Sequence, residues 1–518
     1  VPSGLALRPA RDNAPVARIA VGAIPLLLVP ALGAVQGGFH PDTWVWSGVL
    51  AAWAAALALA VGAKAEFLRR EWPWVAFGLA LLLWTLLSTL WSAERAQSLL
   101  EARRTVVYVA VVLALVTVCR RGSSAVLVTA TQAAVSALVL YALGRYLASQ
   151  GHADPAQGRL LFQPLGYANA VGILAALGML LSFTPTADAS RVVARAASAA
   201  VIPPLALAIA LSGSNASWLA LAVGATAVVL LHPSRSSLLP PAVVVVPVTA
   251  ALVAIGHESR LTVIGDSPRL GRALVALATI ACAAIAAAGV VLTASWAPRR
   301  PKPRRRAVAI AVAVAIAAGG AIAVVRAGST EPRGAYYHVA LLEYRAHPVL
   351  GSGAGTFGSY WLRLGDLAQW GGALDAHSLY LEMLAELGPI GLLLLGGFLL
   401  YPLRRTLAHR GVPGVPAAAG ATVAFLVHAG LDWDWEMPAI VVAALACAAV
   451  VALAEPTAAP EPRPALRRQR VAALACALAL GAAALAGARS TTEPSATAKT
   501  SEAPQSGASV LLLRRAAR

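Results

Sequence analysis

At 518 residues, 59% of them apolar and only 12% charged, the chain is too hydrophobic for a water-soluble protein. Its formal charge of +18 does not mark a nucleic-acid binder. The arginines cluster in short connections between apolar runs, as in PRRPKPRRRA (298–307), which is the pattern of the positive-inside rule. Runs of about 20 apolar residues recur along the chain, the length a helix needs to cross a hydrocarbon core. The expected fold is an all-α, polytopic transmembrane helical bundle of about 12–15 spans with one long extracytoplasmic loop.

In chain order, apolar runs predict spans at 17–36, 44–63, 74–92, 105–119, 124–146, 166–184, 196–211, 215–232, 241–256, 273–296, 307–325, 379–402, 415–431, 438–454 and 471–487. The first run has no small-residue cleavage site after it and reads as a retained span. Residues 93–104, AERAQSLLEARR, read as a short amphipathic helix on the outer surface. The basic residues of the short loops place the N-terminus in the cytoplasm and the C-terminus outside.

The expected organisation is a cytoplasmic tail at 1–16 and a first bundle at 17–325. An extracytoplasmic loop follows at 326–378, helices completing the domain at 379–454, and a Pro/Arg-rich cytoplasmic linker at 455–470. A last span at 471–487 leads to a Ser/Thr/Ala/Pro-rich tail at 488–518. No soluble segment is large enough for its own core. Cys119, Cys282, Cys447 and Cys476 lie in or at the ends of spans, without spacing for disulfides or metal.

Given this topology, the unusual polar residues gather on the outer side: Trp91 and Ser92; Gln163, Tyr167 and Asn169; Ser212, Ser214 and Asn215; Arg333 and His377; Asp432, Asp434 and Glu436. Polar groups at membrane depth are costly and tend to line a cavity or substrate path. The 326–378 loop exceeds what a connection needs.

His377 stands before the apolar helix of AHSLYLEMLAELGPIG, which the Gly-Pro pair breaks about three turns on. A histidine exchanges a proton near neutral pH and could deprotonate or orient an acceptor hydroxyl; an interfacial histidine can equally be a hydrogen-bonded structural residue. Helical spacing puts Tyr380 and Leu381 on its face and turns Glu382 and Glu386 away, so any carboxylate partner should come from another span.

Arg333 opens RGAYYHVALLEYRAHP, an interfacial helix with Ala335, Val339, Leu342 and Ala346 on its apolar face. A guanidinium near a helix start, shielded from water, suits a pyrophosphate; Arg345 and Arg363 are weaker candidates, and each could simply snorkel to headgroups. Gly351, Gly353 and Gly355 of GSGAG could present backbone N–H groups to phosphate as a nest, although no P-loop GK[ST] follows. The carboxylates of DWDWEMP (432–438) could hold a divalent cation, but a structural or acceptor-binding role is preferred and no metal is expected.

The order TLWSAERAQSLLEARR, LGYANAVG, LSGSNASWLAL, Arg333-x-x-Tyr336-Tyr337-x-x-Ala340, HPVLGSGAGTF and AHSLYLEMLAELGPIG resembles the O-antigen ligase and polymerase superfamily, from about Trp84 to Trp435. The resemblance implies a multispan bacterial inner-membrane protein akin to other lipid-dependent glycosyltransferases. It implies glycan transfer from undecaprenyl pyrophosphate to a hydroxyl acceptor outside the cytoplasm, on a lipid, glycan or protein, without metal or cofactor. His377 then holds the family's essential histidine position and Arg333 one of its pyrophosphate-binding arginines. The expected substrate-binding set is Asn215, Tyr336, Tyr337, Gly353, Gly355, Arg363, Tyr167 and Asn169. Membrane lipids are the expected surroundings and nucleic acid is not a partner.

One departure is plain. Where the family has Ser-Arg-Gly, this chain has Ser214-Asn215-Ala216, and an asparagine supplies no charge. Arg159, Arg260, Arg269 or Arg363 must substitute, or the donor or activity differs. The alternatives are a membrane transporter of a small solute or ion, which calls for broken midplane helices in related halves, and a catalytically impaired ligase-like scaffold.

Overall fold

The computed structural model describes residues 14–61, 65, 67–149, 153–154, 156–263, 269–294, 333–455 and 465–492. The helices are α1 (Ala14–Gly33), α2 (Pro41–Ala60), α3 (Leu68–Ser88), α4 (Arg95–Val118), α5 (Ser123–Ala148), α6 (Ala168–Asp188), α7 (Val192–Ser212) and α8 (Asn215–Leu231). They continue with α9 (Leu239–Glu258), α10 (Arg269–Thr293), α11 (Arg333–Ala346), α12 (Phe357–Leu364), α13 (Leu379–Leu400), α14 (Val415–Ala429), α15 (Pro438–Ala452) and α16 (Arg467–Thr492).

Every expected span but one coincides with a helix, and the exception, 307–325, lies outside the described residues. So do most of both expected tails, the start of the 326–378 loop and the middle of the 455–470 linker. Nine helices among the described residues are long and apolar enough to cross a membrane, and four shorter apolar helices accompany them. The fold is an all-α polytopic membrane bundle.

The amphipathic segment at 93–104 is not a separate surface helix. It runs without a break into the following span as α4, because nothing between Arg95 and Val118 is a helix breaker.

Burial sorts the helices. All fifteen residues of α15 are buried, as a helix apolar on every side requires, and α6 and the second half of α4 are nearly as enclosed. Around this centre, α2, α3 and α16 pack with α4 on one side and α13 packs on α3, while α7, α8, α9 and α14 pack with α6 on the other and α10 packs on α7 and α9. The outer walls present apolar side chains away from the core, such as Val243, Leu270, Leu277 and Ile280. Small residues let backbones approach where helices cross. At the α8–α14 contact, a Cβ added to Gly224 would lie 2.8 Å from the carbonyl oxygen of Gly420.

The connections after α1, α3, α5 and α7 and those before α13 and α15 meet at one end of the bundle, which carries the site. The other end is closed by an ionic cluster. There Glu71 pairs with Arg70 and with Arg404 (2.8 Å), and Glu455 pairs with Arg70 and Arg405, tying the start of α3 to the chain beyond α13 and α15.

Gly224→Val forces α8 and α14 apart. Overpacking of this kind costs about 1–3 kcal/mol, so the purified protein in detergent should melt several degrees lower. An unchanged melting temperature would show that the two backbones are not in contact.

Candidate active site

Residues 333–378 form a small structure of their own above the bundle. Contrary to the expectation that this loop lacks a core, Tyr336, Val339 and Ala340 of α11 pack with Phe357 and Trp361 of α12, Ala376, and Ala385 of α13. The buried stripe of α11 is Tyr336, Val339, Ala340 and Glu343, at i, i+3, i+4 and i+7. Ala335 and Leu342 lie at its edge and Ala346 is exposed, so the apolar face read from the sequence is rotated by about one position.

Two glutamates of α13 hold this cap on the membrane helices. Oε2 of Glu382 accepts the amide of Ala376 at 2.7 Å. Glu386 accepts the amides of Gly355 (Oε2, 2.7 Å) and Phe357 (Oε1, 2.9 Å), and its carbonyl takes the amide of Gly353 at 2.8 Å. The nest is thus occupied by the protein's own carboxylate. The amides of Gly353 and Gly355 point inward, and that of Gly351 donates to His347 O at 3.0 Å, so a phosphate cradle from these glycines is not what the structure supports. Their positive φ angles serve close packing instead: a Cβ at Gly353 would strike Ser92. Ser88 and Ser98 complete the clamp, Ser88 Oγ accepting the Ala354 amide (3.2 Å) and Ser98 Oγ donating to the Ala354 carbonyl (2.6 Å).

Within α13 the helix breaks at Gly388 (φ 67°, ψ −174°) ahead of Pro389, as the Gly-Pro pair predicts. The indole of Trp84 caps the carbonyl of Leu387 at 2.9 Å.

His377 is not helical. α13 begins at Leu379, and His377 holds φ 52°, the left-handed region that non-glycine residues rarely enter. The helical-face argument therefore fails, and the carboxylate partner is local. Nδ1 of His377 lies 2.7 Å from Oδ1 of Asp375, which also accepts the His377 amide at 3.1 Å. The imidazole stacks on Tyr336, ring centroids 4.6 Å apart. Strain of this kind, held by neighbours, is characteristic of functional positions. The sequence signal was available as an acid two residues before the histidine.

One helical turn before Tyr336, Arg333 Nη2 lies 3.2 Å from Oδ2 of Asp432. Asp432 is fully buried and also accepts from Tyr167 Oη (2.7 Å), Asn169 Nδ2 (2.6 Å) and the Trp433 amide (2.9 Å). Tyr167 stacks on Trp433 at 4.5 Å. The structure thus draws His377, Tyr336, Arg333, Tyr167 and Asn169 into one connected set.

Asp434 meets His428 Nδ1 at 2.9 Å, while His428 Nε2 lies 3.1 Å from Ser217 Oγ; all three are wholly buried. Glu436 pairs with Arg104 at 3.2 Å. The three carboxylates of DWDWE therefore diverge to three different basic partners. Among the described residues no group of three or more His, Cys, Asp or Glu is placed to hold a metal.

Tyr337 sits at the edge of the cap core. Arg363, on α12, donates Nε to Ser359 O (3.1 Å) and lies over the Tyr360 ring, so its contacts belong to the cap. Asn215 opens α8, whose N-cap is Ser214, and lines a cavity between α8 and α9.

This arrangement defines a class: a polytopic helical membrane protein whose imidazole–carboxylate pair and arginine are held beneath a helical cap at one membrane face. Residues 199–396 match the family model described as O-antigen ligase (Wzy_C). That segment belongs to the O-antigen ligase-like superfamily, and it contains Asn215, Arg333, Asp375 and His377. The match leaves out the motifs before residue 199 and the Asp432 turn. No curated protein matches the chain.

Glu343 gives the cap a pH dependence. Its Oε1 accepts from Ser352 (2.7 Å) and Thr356 (2.9 Å), and burial pushes the carboxyl up to about 7 against the pull of those hydroxyls and Arg363. The folded value lies above the ordinary 4.5. The folded form thus keeps a proton that the unfolded chain has released, and stability falls as pH rises from about 4.5 through about 7. Glu343→Gln keeps the acceptor and removes the titration. Its melting temperature should change less between pH 5 and pH 8 than the wild type's, a difference on the order of 3 kcal/mol. Parallel curves would refute the assignment.

Proposed function

We propose that the chain is an inverting membrane glycosyltransferase that moves a glycan from undecaprenyl pyrophosphate to a hydroxyl acceptor on the extracytoplasmic side of a bacterial inner membrane. The observation that carries this reading is the His377–Asp375 pair, joined through Tyr336 to Arg333 in a segment of O-antigen ligase type.

Nδ1 faces the Asp375 carboxylate at 2.7 Å; with the proton on that nitrogen, Nε2 carries the basic lone pair. That nitrogen takes the proton of the acceptor hydroxyl as the oxygen attacks the anomeric carbon. The bond to the pyrophosphate oxygen breaks on the opposite face, and one displacement inverts the centre. Arg333, oriented by its contact with Asp432, meets the charge growing on the leaving pyrophosphate. Both substrates are oriented by side chains, with no metal in the scheme. Whether the acceptor is a lipid, a protein or a second glycan chain sets ligase against polymerase, and the same chemistry serves each.

With lipid-linked oligosaccharide as donor in reconstituted membranes, His377→Ala should lower the transfer rate by about two to four orders of magnitude. Asp375→Asn, which leaves the base but removes the carboxylate charge beside Nδ1, should cost about 10- to 100-fold. The product linkage, read by NMR, should be of the opposite anomeric configuration to the donor. Undiminished transfer by His377→Ala would remove the histidine from the chemistry.

Orientation has its own check. Leu374 in the cap and Leu407 between α13 and α14 are both well exposed, at opposite ends. In intact cells Leu374→Cys should react with an impermeant maleimide and Leu407→Cys should not; the reverse labelling would invert the topology.

A further inference from the structure

One edge of the cap descends beside α13. The turn at Pro348–Leu350, closed by the Gly351 amide on His347 O (3.0 Å), runs down to the point where that helix breaks. The Ser352 amide donates to Ala385 O at 3.2 Å, and beyond it the two backbones touch. A Cβ on Gly351 would strike the Glu386 carbonyl, and one on Gly388 the carbonyl of Val349. Val349 is therefore fixed at the level of the Gly388 break.

Helix geometry gives that level a depth. From Gly388 to Tyr401, α13 advances about 20 Å at the helical rise, and the tighter turn from Tyr401 to Arg404 adds about 6 Å. Arg404 pairs with Glu71 in the ionic cluster at the far end of the bundle. The neighbouring helix α3 agrees. Trp84, whose indole caps Leu387 O, stands about 21 Å along α3 from Arg70 of the same cluster. A hydrocarbon core is about 30 Å thick, so the turn lies roughly 5–10 Å inside its boundary on the cap's side.

What the turn presents at that depth is apolar. Val349 is 65% exposed, Leu350 43%, and Pro348 is exposed beside them. These side chains continue an apolar wall, in which Leu83, Leu86, Leu87 and Leu90 form an exposed stripe on α3 and Ile390 and Leu393 another on α13. The residues just before the tip are polar: Arg345 and His347 are both exposed, and His347 Nε2 lies 2.8 Å from Tyr360 Oη. A basic stretch ending in an apolar tip is the pattern of an interfacial anchor, its cation among headgroups and its tip among the chains.

We propose that Pro348, Val349 and Leu350 form a wedge inserted among the acyl chains of the leaflet on the cap's side, with Arg345 at the phosphate headgroups, so that bilayer phospholipid is a binding partner of the cap. Two residues beyond the wedge, Ser352 Oγ donates to Glu343 of α11 at 2.7 Å, on the helix that carries Arg333 and Tyr336. The seat of the cap over His377 thus depends on the surrounding membrane as well as on α13. This holds whatever reaction the site performs.

The test places single nitroxide labels on the full chain in phosphatidylcholine–phosphatidylglycerol vesicles. Cys282 and Cys476 are replaced by alanine, while the wholly buried Cys119 and Cys447 stay in place. Electron paramagnetic resonance reads the access of each label to oxygen, which concentrates in hydrocarbon, and to a water-soluble nickel chelate, which hydrocarbon excludes. Labels at Val349→Cys and Leu350→Cys should match one at Leu393→Cys on the α13 wall. Their oxygen-to-nickel ratio should be roughly tenfold above that at Leu374→Cys. The ratio at Arg345→Cys should fall between the two. Leu350→Asp should raise nickel access at a Val349→Cys label severalfold and leave a Leu393→Cys label unchanged.

A Val349→Cys label as open to nickel as the one at Leu374→Cys overturns the proposal. So does one shielded from both reagents, since protein, such as a second copy of this chain, would then cover the turn. An Arg345→Cys label as deep as the tip overturns the headgroup contact. The expected label pattern in a protein without glycan transfer would count against the proposed reaction and leave the wedge standing.

Discussion

A carboxylate removed from water has to be compensated by what surrounds it, and Asp432 is the point where that requirement organises the molecule. Its two oxygens draw in the hydroxyl of Tyr167, the amide of Asn169 and the guanidinium of Arg333. Those three groups come from the start of α6 and from α11, segments far apart in sequence. Deleting any one partner from a wholly buried ion costs about 3–5 kcal/mol, enough to hold Arg333 to one position. Tyr336 then follows one turn later on α11, and His377 lies against Tyr336. The place of the imidazole is in this sense set by a carboxylate that it never touches.

The cap is secured the same way from below. Glu382 and Glu386 sit one turn apart on α13, so their side chains emerge on one face, and each grips backbone amides of a different outer segment. Glu382 fixes the residue before His377; Glu386 fixes the glycine-rich turn. Neither carboxylate needs to meet substrate for the site to depend on it. The left-handed conformation of His377 is held from both sides, by the Ala376 amide on Glu382 and by its own amide on Asp375.

The spans were legible because hydrocarbon thickness imposes a length and a polarity on each, and both are visible residue by residue. α4 shows the limit of that reading. AERAQSLLEARR is polar enough to look separate, yet helix continuity depends on backbone breakers, and none occurs. The histidine and the arginine were legible as residue types at a membrane face. Their partners were not, because no local periodicity points to either: Asp375 lies in non-helical chain beside His377, and Asp432 lies 99 residues beyond Arg333. Extending helical spacing back through His377 pointed away from Asp375, although the helix itself begins at Leu379, as the apolar run predicts. The glycine-rich turn misled in a related way. Glycines with positive φ do expose amides, but sequence does not reveal what fills the hollow they make, and here Glu386 does. The buried Ser217–His428–Asp434 contact gave no signal in any one stretch, since it joins α8, α14 and the turn before α15.

Arg333 is balanced by Asp432, so together they present little net field; what they offer is direction, a planar fork already oriented before any ligand arrives. Around the α7–α8 turn the Tyr146 hydroxyl joins the carbonyls of Arg159 and Leu261, and Arg260 and Glu258 both line the neighbouring cavity. With asparagine at 215, the start of α8 carries no charge of its own, and the buried contact that orients Arg333 and the one that holds His377 stand apart from it.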